Sequence, residues 1–158
     1  MKLYDRIRTP CIGVCSTGIG DSVCRGCKRF DQEVILWNGY SEVEKAAIDN
    51  RLASLLSQVV QRYFTIFDVD LLQRQLQIQQ LSYAAHRDPY CWLFELLKAG
   101  AGQIADTGEY GFARIADYKT ADLVNLRQDI DTEYYALSVA HYERYMVANR
   151  KRANCVSV

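Results

Sequence analysis

The chain has 158 residues, 49% hydrophobic and 24% charged, enough to build a core and too apolar for a disordered polypeptide. Nothing in it approaches a twenty-residue apolar run, which excludes a transmembrane helix, and Met1 to Pro10 is polar and basic, so no secretory signal is expected. Nineteen basic and nineteen acidic side chains cancel to a net charge of zero.

That zero combines unlike regions. Residues 1–30 hold Lys2, Arg6, Arg8, Arg25, Lys28 and Arg29 against Asp5 and Asp21. Residues 31–149 hold ten basic and seventeen acidic side chains, and Arg150, Lys151 and Arg152 form a basic tail. Composition therefore separates a segment 1–40, a body 41–149 and a tail 150–158. A local basic surface suits RNA or an acidic protein.

In chain order, residues 1–30 show no helix or strand period, and Gly13, Gly18, Gly20 and Gly26 suit loops. Asp31 is expected to cap a short helix reaching Trp37, which Asn38-Gly39 breaks. Ser41 and Glu44 make an S-x-x-E capping box before a helix to about Phe64, with Ile48, Leu52, Leu55, Leu56, Val59, Val60 and Tyr63 on its apolar face. Asp70 and Gln73 suggest a Gln-rich helix over 71–84. Asp88-Pro89 starts another, which runs to about Lys98 and stops at Gly100. Residues 100–119 read as a loop with one short helical turn. Thr120 is expected to cap a last helix over 121–148. No strand pair stands out, so the fold class is mostly α: an irregular N-terminal four-cysteine metal-binding segment packed on an all-helical body.

Cys11, Cys15, Cys24 and Cys27 fall within seventeen residues as C-x3-C-x8-C-x2-C. Without a secretory signal, such clustering favours metal ligation over two disulfides. Tetrahedral ligation needs four thiolates about 2.3 Å from zinc. Gly13 and Gly26 can supply the positive φ that tight turns between the cysteines require, and the five cations Arg6, Arg8, Arg25, Lys28 and Arg29 favour thiolates. The x3 spacing departs from a zinc knuckle and also from the ferredoxin run. Zinc is the favoured cofactor, with an iron–sulfur cluster as the alternative.

Thr9-Pro-Cys-Ile-Gly-Val-Cys15, Cys24-Arg-Gly-Cys-Lys-Arg29 and Glu33-Val-Ile-Leu-Trp37 together resemble the bacterial domain of unknown function 1289 family. The resemblance covers residues 9–52 and is carried by the four cysteines, Pro10, Gly13, Gly26, Arg29 and Trp37. It implies Cys11, Cys15, Cys24 and Cys27 as ligands and supplies no activity. Family members are often described as iron–sulfur proteins on the same four cysteines.

The other candidates read as structure. Cys91, beside Trp92 and Phe94, suits a buried thiol, and Cys155 an exposed one. Cys91 and His86 lack the orienting groups of a nucleophilic dyad. Asp129 and Glu133 share a helix face and read as solvated. Tyr134, Tyr135, Tyr142 and Tyr145 suit packing, although tyrosines near Arg144 and Arg150 could stack on RNA bases. The chain is therefore expected to be a cytoplasmic, non-enzymatic interaction module, meeting a protein or RNA through Arg6, Arg8, Arg25, Lys28 and Arg29. The alternative is an electron-transfer or redox-sensing iron–sulfur protein.

Overall fold

A computed structural model describes residues 6–156. Lys2, Asp5 and the last two residues of the basic tail lie outside the described residues. Contacts group the chain into two compact units, one from residues 1–52 with 134–158 and one from residues 53–133. This grouping differs from the compositional boundaries at residues 40 and 149. It also joins the N-terminal segment to the second half of the last helix.

The first unit begins with irregular chain and a 3₁₀ turn, Ser16–Ile19, ended by Gly20 in the left-handed region. A short antiparallel bridge joins Val23 and Phe30, so the cysteine segment contains a small hairpin that no period-two pattern announces. Helix α1, Asp31–Leu36, follows. Asp31 is its first residue rather than its cap, because the Phe30 N–H is taken by the Glu33 carboxylate at 2.9 Å. Helix α2, Glu42–Val60, opens on the expected box: Ser41 Oγ accepts the Glu44 N–H at 3.2 Å, and the Glu44 carboxylate accepts the Ser41 N–H at 2.7 Å. Trp37, Ile48 and Leu52 form the core here, with Ile7 and Tyr40 packed against them.

The second unit takes the rest of α2, which stops at Val60, short of Phe64. Phe64–Ile66 is instead a strand, β1, paired antiparallel with β2, Phe112–Arg114. The fold is mostly α, as expected, and this small two-stranded sheet is an addition to the helical body where no strand pair stood out. Gly111 turns the chain into β2 at φ +79°, and an added Cβ there would collide with the Asp68 carbonyl. Helix α3 is Val69–Ile78, shorter than expected, and Asp68 is its cap through the Leu71 N–H at 2.9 Å. Helix α4, Pro89–Gly100, starts where the Asp-Pro pair places it, with Asp88 accepting the Tyr90 N–H at 2.9 Å. Leu72, Leu76, Leu93, Phe112 and Ile130 are fully buried here. Glu133, read as solvated, is partly exposed and also engaged: it accepts from Tyr63 Oη, and from Arg62 at 3.1 Å.

Helix α5, Leu123–Cys155, is 33 residues long, and it carries Arg150, Lys151 and Arg152 on an exposed continuation of the helix. Among the described residues, no helix is long and apolar enough to cross a membrane.

Candidate metal centre

Cys24 and Cys27 flank a tight turn at the tip of the 22–31 hairpin. Asp31 N–H bonds Ser22 O at 2.9 Å, Cys24 N–H bonds Arg29 O at 2.9 Å, and Lys28 N–H bonds Cys24 O at 2.8 Å. The turn closes through a left-handed residue, but that residue is Lys28, at φ 64°, and not Gly26. Gly26 serves a different need. A Cβ at Gly26 would lie 2.8 Å from Ile12 Cδ1 and 3.2 Å from Val14 O, so the Cys11–Cys15 loop lies directly across the Cys24–Cys27 turn. Any larger residue there would displace the Ile12 side chain and crowd the Val14 carbonyl. Ser16 fastens the two segments by accepting the Arg25 N–H at 2.8 Å. Gly13 takes φ +97°, as its place inside C-x3-C suggests.

The four thiols differ in setting. Cys24 and Cys27 are buried, Cys11 and Cys15 exposed. Burial pushes the Cys24 thiol up, but hydrogen bonding from Cys27, Ser16 and Gly26 outweighs it and brings the thiol to about 7. Burial raises Cys27 against the pull of Arg29, whose Nε donates to Cys27 Sγ at 3.3 Å. Cys11 Sγ accepts the Gly13 N–H at 3.3 Å, and Cys15 Sγ lies 2.9 Å from Thr17 Oγ1. Among the described residues, no three Cys, His, Asp or Glu side chains converge as a metal-holding group. The thiol set has the chemistry of a thiophilic metal site, and its two loops are apposed. Of the Cys11–Cys15 loop, Ile12 and Val14 are the residues that meet the Cys24–Cys27 turn.

The cations divide in the same way. Arg6, Arg8 and Arg25 are exposed, and Arg25 donates to Asp21 at 3.0 Å and lies over the Tyr135 ring. Lys28 and Arg29, expected on a partner-binding surface, are buried, at 2% and 3% exposure. Lys28 Nζ donates to Arg25 O at 2.6 Å and Gly26 O at 3.2 Å, bracing the turn from within, and it lies over the Tyr134 ring. Arg29 stacks over Trp37 at 4.8 Å while holding Cys27. Both are parts of the site rather than of its surface. The ion pair of Glu33 and Arg51 was missed at the level of sequence. Arg51 donates to both Glu33 carboxylate oxygens at 2.7 and 2.6 Å and covers the Phe30 ring at 4.0 Å, locking the hairpin to α2. Glu33 stands in the quoted motif, and its partner eighteen residues on carries no local signal.

Residues 9–55 match the model of the family described as Protein of unknown function (DUF1289). Over that segment the chain is similar to the DUF1289 family. The match spans both cysteine pairs, α1 and most of α2, and includes Arg29, Glu33, Trp37 and Arg51. The matched segment thus contains Ser16, Lys28 and Arg29, which brace the Cys24–Cys27 turn and the Cys27 sulfur. No curated protein and no solved structure shows a match to the chain.

Proposed function

We propose that Cys11, Cys15, Cys24 and Cys27 hold one zinc ion, and that the DUF1289 segment so folded is a non-enzymatic module that docks on a protein partner. The observation that carries the reading is the Cys11–Cys15 loop lying across Gly26 of the Cys24–Cys27 turn, which sets the two cysteine-bearing loops against each other. Arg29 Nε donates to Cys27 Sγ and offsets part of the burial that raises this thiol, and ligation itself would draw off the proton. Zinc bound by four thiolates supplies a closed structural cross-link, and this chain's residues supply its hydrogen-bonded and cationic surround. The partner-facing surface is basic and apolar together: Arg6, Arg8 and Arg25 with Ile12, Val14 and Ile19, the last three 64%, 74% and 86% exposed. Exposed aliphatic groups beside cations suit an acidic protein surface better than RNA, which is read through phosphate contacts and base stacking.

Metal analysis and an absorbance spectrum of anaerobically purified full-length protein test the metal. One zinc per chain and a colourless solution support the reading. Stoichiometric iron with a broad visible band replaces it with the iron–sulfur alternative, and a metal-free folded protein overturns both. Reversing Arg6, Arg8 and Arg25 to glutamate tests the docking face: metal content should stay and partner capture from lysate should be lost. Capture unaffected by the reversal, or abolished by nuclease treatment, removes the protein-docking claim.

A further inference from the structure

Beside the cysteine segment, and separate from its sulfurs, a partly open cavity of about 260 Å³ lies between α1, Tyr40, Arg51 in the middle of α2 and the second half of α5. It exceeds the roughly 150 Å³ that holds a benzene molecule in an engineered protein cavity. Its walls are the rings of Phe30, Tyr40, Tyr142 and Tyr145. Phe30 meets Tyr142 edge to face at 5.2 Å and Tyr145 at 6.0 Å, so the rings surround the space rather than stacking shut. Tyr145 is half exposed and leaves the cavity accessible.

The polar groups set the sign of the charge it accepts. Arg51 is the one cation of the lining, and Glu33 engages it through both carboxylate oxygens. Asp31 remains, its Oδ1 accepting the Gln32 N–H at 2.7 Å, with no ion pair among the described residues. Beside His141, the lining carries one Arg and two carboxylate side chains. Tyrosine faces and a carboxylate together attract organic cations and repel phosphates. The site already shows this preference within its own chain, where the Arg51 guanidinium lies over the Phe30 ring at 4.0 Å.

We infer that this cavity binds an organic cation, an ammonium or guanidinium group on an aliphatic stem, with the charge at Asp31 and the stem against Tyr40, Tyr142 and Tyr145. The charge has two possible sources, a free polyamine or a basic side chain of a protein. Titration of the full-length, metal-loaded protein at physiological salt, followed by NMR shifts of His141 and the tyrosine rings, uses spermidine for the first and a blocked arginine, N-acetyl-arginine methylamide, for the second. Saturable shifts with either probe support the site, and the tighter probe identifies the source. Asp31→Asn keeps the acceptor for Gln32 N–H and should weaken binding at least about tenfold; Tyr145→Leu keeps apolar bulk and should weaken it several-fold, with circular dichroism unchanged. Absence of saturation with both probes, equal affinity in Asp31→Asn, or tighter binding of adenosine monophosphate than of either cation overturns the proposal.

Discussion

Leu72, Leu76, Leu93 and Phe112 fill the interior of residues 53–133 with hydrocarbon, whereas the side chains enclosed beside Cys24 and Cys27 include Lys28, Arg29 and Ser16. The first interior is maintained by removing apolar surface from water. The second encloses charge, which costs free energy unless every polar group is partnered. The cysteine region meets that condition through carbonyls at Lys28 Nζ, a sulfur and an indole at Arg29, and a carboxylate at Arg51. A region of this kind depends on a few specific contacts, so one substitution among them should do more than one methyl group lost from a hydrocarbon core.

The largest effect should come from Cys24→Ser. Ligation supplies folding free energy in metal-held segments, so metal content should fall by at least about nine-tenths. Proteolysis should then cut within residues 6–30 while the 53–133 region stays resistant. Retained metal would break the comparison at its base. Phe112→Ala should cost about 3–5 kcal/mol in chemical denaturation, the usual range for a large buried aromatic, and leave metal content unchanged. Arg51→Ala should cost about 2 kcal/mol, between the values for exposed and enclosed ion pairs, because its side chain is 23% exposed and that of Glu33 12%. It should also make the hairpin a target of proteolysis.

The smallest effect is in pH dependence, and its sign differs between the regions. The Ile7 N–H, with help from Lys45, holds the Glu42 carboxyl below its ordinary 4.5. Its contribution is complete above that value and is lost as pH falls through the lowered one. Burial and then Glu133 raise the Tyr63 phenol well above its ordinary 10, so its contribution is complete below pH 10 and fades as pH rises beyond it. Denaturation midpoints across pH should show Glu42→Gln flattening the acid limb and Tyr63→Phe the alkaline limb. A reversed assignment of the limbs would contradict these contacts.

Helix starts were legible where a side chain caps its own neighbourhood, as Ser41 with Glu44 and Asp88 with Tyr90 do. The four clustered cysteines were equally plain. The β1–β2 pairing was not, because Phe64 and Arg114 are fifty residues apart and each strand is too short for a period to register. The end of α3 was misjudged because Gln80 adopts φ 55°, a conformation that glutamine does not advertise. Lys28 and Arg29 were assigned to the surface on residue type alone. Their burial follows from acceptors that exist only once the turn is folded, and Gly26 likewise reveals its role only through Ile12 and Val14.

The enclosed amine of Lys28 gives the protein a built-in chemical reporter. Acylating reagents label lysines in proportion to their access to solvent, and with the turn closed this amine is shielded by Arg25 and Gly26 carbonyls and the Tyr134 ring. Its labelling rate, set against that of exposed Lys151 in the same sample, measures the fraction of molecules whose turn is open. Mass spectrometry of a single peptide could follow that fraction in a living cell.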